Sequence, residues 1–239
     1  MNKPTIDMER LINIVICLAG IVLILCGVLL KSGQAETITI SVGASLVASS
    51  AVAFLSSVYI RRYRHAKEIS EQWGLQSITD KRATMNIEIN EHMQKVSQNL
   101  DYIAFGMTSL RQGAESTVLD CLHRGAELRL LTVDPESPFL SVRDREEKKM
   151  EGSTATSIRQ LVDWAKRLEE KYPGKVKLRY NPAIPTEYYC RADRMIYTGP
   201  YQYGKESQQT ITFAYKGPGL AFDYYTKYYD ELWREAREP

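Results

Sequence analysis

The sequence lacks the side-chain patterns that usually mark a metal centre or a hydrolase. Its four cysteines are dispersed, with no CxxC pair and no Cys/His spacing suited to zinc. Only three histidines occur, and none follows His123. The sequence also has no phosphate-binding glycine loop and no Ser/His/Asp set. We therefore expect no metal, no cofactor and no catalytic residue, and the formal net charge of +2 does not indicate a strongly cationic nucleic-acid binder.

Charged residues are nearly absent from a long segment near the N-terminus. Residues 11–60 contain one lysine and one glutamate, and residues 11–30 contain neither. A helix of twenty residues spans about 30 Å, which matches the hydrocarbon core of a bilayer. A second apolar run at 37–60 follows at once. A domain secreted after cleavage of a signal peptide would not begin with such a run. Residues 1–65 are therefore predicted to form a two-pass transmembrane hairpin.

Basic residues flank both predicted membrane helices on one side. Lys3 and Arg10 precede the first helix, and Arg61, Arg62 and Arg64 follow the second. The excess of Lys and Arg on cytoplasmic flanks predicts that both termini are cytoplasmic.

The second apolar helix carries small, weakly polar residues at every fourth position. These residues are Ser41, Ser45, Ser49, Ala53 and Ser57, and we call them the serine stripe. Small residues at this spacing let helix backbones approach closely. The serine stripe is expected either to pack against the first helix of its own hairpin or to assemble several chains. Any pore would need several chains, because two helices cannot enclose one.

The remaining residues predict a helical linker at 66–99 and a cytosolic domain at 100–239. Apolar or alternating runs predict strands at 100–107, 127–133, 175–180, 188–190, 194–197 and 209–215. Amphipathic segments predict helices at 111–124, 157–171 and 220–236. The charged segment 137–153 has no apolar period and predicts a mobile surface loop. Together these elements predict an α/β domain with a mostly parallel sheet flanked by helices.

Three segments of the predicted domain resemble the phospholipase D-like family. They are RGAELRLLTVDPESPFL at 124–140, RADRMIYTGPY at 191–201 and FDYYTKYYDELW at 222–233. The resemblance implies a phospholipase D-like fold over most of residues 100–236. In that family a histidine in an HxK motif attacks a phosphodiester, and an aspartate follows a few residues later.

The family's reactive residues are missing at the matching positions of this sequence. If Asp193 matches the family's aspartate, the histidine and lysine positions fall near Thr186 and Tyr188, and Gly199–Pro200 stands where Gly-Ser is usual. Neither Thr186 nor Tyr188 can act as a nucleophile or a phosphate-binding cation. The resemblance thus implies a degenerate domain, a pseudoenzyme without hydrolase activity.

Aromatic and basic residues occupy the region of this degenerate site. The candidate ligand-binding residues are Tyr188, Arg191, Asp193, Arg194, Tyr201 and Tyr203. Tyrosines can stack on bases and arginines can bind phosphates, as in sites for nucleotides or single-stranded nucleic acid. The alternative is that these tyrosines serve core and interface packing.

The layout of the chain is similar to that of two-helix membrane effectors of bacterial anti-phage systems, of retron or cyclic-nucleotide type. The similarity implies a homo-oligomer that disrupts the bacterial inner membrane and causes abortive infection. The implied partners are the lipid bilayer and either a reverse transcriptase with its RNA-DNA product or a cyclic nucleotide. Two alternatives remain open: a membrane-anchored phosphodiesterase or nuclease of phospholipase D-like type, and a non-toxic membrane scaffold that recruits a cytosolic partner.

Overall fold

The computed structural model describes residues 8–30 and 33–239, and it describes their side chains except at 8–10, 58, 60–62, 64 and 65. The described chain divides into two compact units between Ile69 and Ser70. We call them the hairpin unit and the sheet unit, and each is described by itself.

Two long helices form the hairpin unit: α1, Met8–Leu29, and the first part of α2, Gly33–Trp73. Within them, Leu11–Leu29 and Gly33–Ser57 are long and apolar enough to cross a membrane. Most of their apolar side chains, such as Leu25 and Val52, are exposed in the unit. The helices therefore agree with the predicted hairpin in place and composition, although α2 continues well beyond the predicted end of the membrane segment.

The backbones of α1 and α2 meet at a pair of glycines. A Cβ atom on Gly43 would lie 2.7 Å from the carbonyl oxygen of Gly20, and one on Gly20 would lie 2.8 Å from that of Gly43. Ile40 and Val47 lie on the same side of α2, and Ser50 on that side is buried. Glycines permit this close approach because they have no side chain. The face of α2 that packs in the hairpin therefore centres on Gly43.

The sheet unit is built on one sheet of seven strands within the described residues. The strands are β1 Leu75–Thr79, β2 Asn99–Ile103, β3 Glu127–Thr132, β4 Val176–Tyr180, β5 Glu187–Ala192, β6 Met195–Pro200 and β7 Thr212–Lys216. Their order across the sheet is β1-β7-β6-β5-β2-β3-β4.

The sheet is mixed, which corrects the expectation of a mostly parallel one. In the described chain, β3 pairs in parallel with β2 and with β4, and the other four pairings are antiparallel. Helical crossovers join β2, β3 and β4, and such connections are needed for parallel pairs. A tight hairpin joins β5 to β6, so that pair is antiparallel.

Helices cover both faces of the sheet, as predicted for an α/β domain. They are α3 Arg82–Met93, α4 Glu115–His123, α5 Phe139–Glu146, α6 Ser153–Lys171 and α7 Leu220–Glu235. The main core lies between α3, α4, α6 and one face of the sheet, and Met85, Leu128 and Leu161 are fully buried there. On the other face α7 packs Tyr229 against Leu131 and Tyr189.

Residues 70–99 belong to the sheet unit, so the predicted helical linker at 66–99 is wrong in this part. The edge strand β1 pairs antiparallel with β7, and α3 buries Met85, Ile89 and Met93 in the main core. The strand is hard to find in the sequence because it lies at a sheet edge. Its side chains are at best half-buried, and polar residues occupy three of its positions.

The predicted mobile loop at 137–153 contains a helix, α5, and three charged side chains of this segment are buried. Arg143, Asp144 and Glu147 have at most 6% of their surface exposed. Asp144 accepts hydrogen bonds from the backbone N–H groups of Gly152 and Thr154. The charges that suggested a solvated segment are instead satisfied by partners inside the fold.

Candidate ligand cavity

A cavity of about 1120 Å³ opens beyond the carboxyl end of β2. Its walls come from α3, from the chain that follows β2, from α5 and from the first turn of α6. A short π-helix, Ser109–Gly113, lines it as well. Ligands of α/β proteins commonly bind at the carboxyl ends of parallel strands, and β2 is the strand at which parallel pairing gives way to antiparallel pairing.

Arg82 is a buried cation in the wall of this cavity. It is the first residue of α3, only 8% of its surface is exposed, and its guanidinium carbon lies 4.5 Å from the ring centre of Tyr188. No carboxylate of the described chain lies within ion-pair distance of Arg82. The aromatic ring therefore orients a positive charge that has no acidic partner.

Arg143 is the second buried cation, and it comes from α5. It pairs with Glu147, and its Nη1 lies 3.3 Å from a carboxylate oxygen of Glu146. Its guanidinium carbon lies 4.8 Å from the ring centre of Tyr201 and 5.5 Å from that of Phe105. The Nε–H of Arg143 is buried and donates to no acceptor in the described structure.

Glu147 is the buried carboxylate of the site. Burial acts to raise its pKa, but hydrogen bonds from Lys149 and Ser207 and the charge of Arg143 outweigh burial and lower the pKa. The hydroxyl of Ser207 donates to Glu147 at 2.6 Å and its backbone N–H does so at 3.2 Å. Glu147 is thus ionised at neutral pH, and it ties the end of α5 to the loop after β6.

Tyr201 contacts both arginines, Arg143 through its ring and Arg82 through its hydroxyl. Burial raises the pKa of its hydroxyl, whereas the charges of Arg82 and Arg143 act in the opposite direction. Two of the tyrosines that line the cavity, Tyr188 and Tyr201, each have a guanidinium over one ring face. The rings thus position the arginines, in addition to whatever they offer a ligand.

Only two of the six predicted ligand-binding residues, Tyr188 and Tyr201, line the cavity. Asp193 and Arg194 form the turn between β5 and β6, at the other end of these strands. Tyr188 and Asp193 are five residues apart on an extended strand, a separation of about 16 Å. Tyr203 is 87% exposed and does not line the cavity. The structure therefore does not bring the six residues together in one site.

Asp193 and Arg191 hold the fold together at that other end. The carboxylate of Asp193 accepts hydrogen bonds from the backbone N–H groups of Ser97, Gln98 and Asn99 at 2.8–3.0 Å. The Nε of Arg191 donates to the carbonyl oxygen of Asp193 at 2.9 Å. Asp193, the predicted counterpart of the family's aspartate, thus links the start of β2 to the β5–β6 turn.

The positions predicted to correspond to the family's histidine and lysine carry no reactive group. Thr186 is exposed and does not line the cavity, whereas Tyr188 is buried in its wall. Among the described residues that line the cavity there is no histidine and no cysteine.

The serine stripe of α2 faces away from α1 over most of its length. Ser41, Ser45, Ser49 and Ala53 are exposed in the hairpin unit, and Ser57 is half-buried. Ser45 follows Gly43 by two residues, which places it about 200° around the helix from the face that packs on α1. Packing within the hairpin therefore uses a different set of residues. The predicted flank residues Arg61, Arg62 and Arg64 lie in α2, but their side chains are outside the described part.

No protein-family model and no curated protein sequence matches the chain. Among solved structures it is similar to TrmBL2, an archaeal chromatin protein that shows a novel mode of DNA binding. The identity is 13% and the TM-score 0.46, over 88% of this chain and 72% of TrmBL2. It is also similar to Nuc from Salmonella typhimurium, a phospholipase D family member, at 10% identity and a TM-score of 0.42, over 68% of this chain and 97% of Nuc.

A third similar structure is the phosphatidylserine synthase of Haemophilus influenzae Rd KW20. The identity is 13% and the TM-score 0.47, over 68% of this chain and 39% of the synthase. All three TM-scores are below 0.5. These likenesses assign neither a ligand nor an activity to the chain.

Proposed function

We propose that the chain is a membrane effector controlled by its sheet unit. On this proposal the two apolar helices span a bacterial inner membrane, with both termini in the cytoplasm. The sheet unit binds a ligand, or is held by a partner, without hydrolysing it. The observation that carries the proposal is the exposure of the serine stripe on the side of α2 that does not pack on α1.

Self-association is supported by the division of α2 into two faces. The Gly43 face already has a partner, because Gly20 of α1 meets it backbone to backbone. The serine stripe has none in the hairpin unit, and small residues favour close contact between membrane helices over contact with lipid. A second copy of the chain fits this face, since an identical stripe allows a symmetric contact.

A non-hydrolytic sheet unit is supported by the chemistry of the cavity. A phosphodiester hydrolase of the resembled type needs a nucleophilic histidine and a cation at its phosphate. Thr186 and Tyr188 occupy the matching positions, and neither supplies these groups. Arg82 and Arg143 can bind an anion, but guanidinium groups stay protonated and are poor nucleophiles.

The finer assignment to an anti-phage system of retron or cyclic-nucleotide type stays a prediction from the layout of the chain. A reverse transcriptase with its RNA-DNA product, or a cyclic nucleotide, would then be the partner. Phage plating on cells with and without the intact gene tests it, and equal plaque counts would contradict it.

Inducible expression with a voltage-sensitive dye tests the membrane function. The full chain, once expressed above the level of any restraining partner, is expected to depolarise bacterial cells. Membrane fractionation of the same cells confirms that the protein is inserted. An inserted protein that leaves the potential intact would contradict the proposal and would favour the scaffold alternative.

A hydrolysis assay separates the effector from the enzyme alternative. The purified full chain in detergent is incubated with phospholipid and, separately, with single-stranded DNA. No turnover is expected of either substrate. Turnover that survives in the Thr186→Ala variant but disappears on changing a cavity residue would identify an enzyme with an unrecognised nucleophile.

A further inference from the structure

The cavity holds more buried positive charge than buried negative charge. Arg82 and Arg143 are both at least nine-tenths buried in its wall, and Glu147 is the buried carboxylate that faces them. Glu147 pairs with Arg143 and with Lys149, which leaves Arg82 with two neutral partners, the ring of Tyr188 and the hydroxyl of Tyr201. The described cavity therefore contains one buried guanidinium that no carboxylate neutralises.

An unpaired buried charge is costly to a folded protein. Removing a charge from water is unfavourable unless a counter-charge and hydrogen bonds replace the lost hydration. Arg143 also lacks a partner at one atom, because its buried Nε–H has no hydrogen-bond acceptor. Both arginines line one cavity, so a single anionic ligand can satisfy both.

We propose that Arg82 and Arg143 bind the anionic group of a small phosphorylated organic molecule. Guanidinium groups present planar sets of N–H donors that match phosphate oxygens in pairs. A phosphate monoester carries close to two negative charges at neutral pH, which suits two guanidiniums better than one carboxylate does. The proposal deepens the proposed function by naming its ligand, and it rests on that function only for the idea that the sheet unit binds one.

The size and the apolar part of the cavity indicate an organic ligand. Small-molecule sites commonly measure about 300–1,000 Å³, and this cavity of about 1120 Å³ is far larger than inorganic phosphate needs. Phe105, Met107 and Leu110 are buried in its lining. These side chains offer contact to a carbon skeleton attached to the phosphate.

Binding at Arg143 competes with Glu147. The carboxylate of Glu147 holds both Arg143 and Ser207, so an anion that draws Arg143 away also weakens the link to the loop after β6. Removing the charge of Glu147 frees Arg143 for the ligand. Substitution of either arginine should therefore weaken binding, whereas neutralisation of Glu147 should tighten it. A general loss of folding cannot change the affinity in both directions.

The test is isothermal titration calorimetry on the full chain in detergent. The probes are inorganic phosphate, glycerol 3-phosphate and adenosine 5′-monophosphate. Saturable binding of at least one organic phosphate is expected, with Arg82→Gln and Arg143→Gln each weakening it about tenfold or more. Glu147→Gln is expected to tighten it. Lys81→Gln and Arg145→Gln change exposed neighbours outside the cavity and serve as matched controls.

Three results would overturn the proposal. These are no binding of either organic phosphate, equal affinity in wild type and Arg82→Gln, and weakening by Lys81→Gln that matches Arg82→Gln. If Arg143→Gln fails to fold, the affinities of Arg82→Gln and Glu147→Gln still test the proposal. Depolarisation is measured separately in cells, so a failed titration with intact depolarisation refutes the ligand and leaves the membrane function standing.

Discussion

The sheet unit contains the half-buried Arg129 and the buried Arg82, and of these two only Arg129 has a carboxylate partner. Its Nε lies 2.7 Å and its Nη2 2.9 Å from the two carboxylate oxygens of Asp101, whose side chain is 1% exposed. The guanidinium also lies over the rings of Tyr229 and Trp233. We predict that Arg129→Met destabilises the protein strongly and that Arg82→Met does not.

The magnitude for Arg129→Met follows from the carboxylate that it leaves behind. Breaking a buried ion pair by removing one partner costs about 3–5 kcal/mol. We expect the lower value, about 3 kcal/mol, because Arg191 remains 3.7 Å from Asp101. In a domain of this size each kcal/mol lowers the melting temperature by about 2–4 °C, so the expected fall is about 6–12 °C.

Arg82→Met removes a buried charge that has no carboxylate to leave behind. It loses a cation–π contact worth about 0.5–2 kcal/mol and a hydrogen bond to Tyr201 worth about 1 kcal/mol, but it regains the cost of burying a guanidinium without a counter-charge. We expect a net change within about 1 kcal/mol, or about 4 °C at most. The assay is thermal unfolding of the full chain in detergent, followed by tryptophan fluorescence without added ligand.

The pH dependence supplies an internal check on the Arg129 prediction. Burial raises the pKa of Asp101, and Arg129 opposes that rise, so the variant should have a still higher pKa at Asp101. A carboxyl group whose pKa is raised in the folded protein contributes stability at low pH, and this contribution is lost as the pH rises. The destabilisation should therefore be smaller at pH 5 than at pH 8.

If Arg82→Met lowers the melting temperature as much as Arg129→Met, Arg82 is a structural residue and the reasoning is refuted.

Two further predictions concern other parts of the chain. Gly43→Leu should lower the thermal stability of the detergent-solubilised protein, since its Cβ would meet the backbone of Gly20; Gly33→Leu, with nothing within 4 Å of its Cβ, should not. Asp144→Asn should destabilise the protein at neutral pH but progressively less below about pH 4. Burial acts to raise the pKa of Asp144, but hydrogen bonds from Thr154 and its neighbours hold it low, so its stabilising effect is lost as pH falls through that lowered pKa. A constant difference between pH 3 and pH 7 in thermal unfolding would contradict this.

Much of the fold was predictable because its core segments have regular apolar periods. The strands β2 and β3 contain runs of buried residues, and α6 places Leu161, Trp164 and Leu168 on one buried face. The final helix α7 was likewise marked by aromatic residues at helical spacing. Strand direction was harder to predict, because the antiparallel half of the sheet depends on short connections whose pairing has no periodic signal.

The cavity could not be predicted, because its decisive residues are distant in sequence and ordinary in context. Arg82 follows Lys81 at the start of a helix, and Arg143 begins a run of charged residues, so the sequence indicates a solvated position for both. Burial alone distinguishes them, and burial depends on packing between α3, α5 and the sheet. The tyrosines were a better signal, since Tyr188 and Tyr201 do line the cavity.

The most direct test of the central claim is the membrane potential of cells that express stripe variants. Ser45→Leu/Ser49→Leu fills the exposed serine stripe, and Ala44→Leu/Ala48→Leu adds leucines at the adjacent exposed positions. The account predicts that wild type and the alanine-site variant depolarise cells, whereas the stripe variant inserts equally well and does not. Depolarisation by the stripe variant at wild-type level would show that the serine stripe is not the assembly surface.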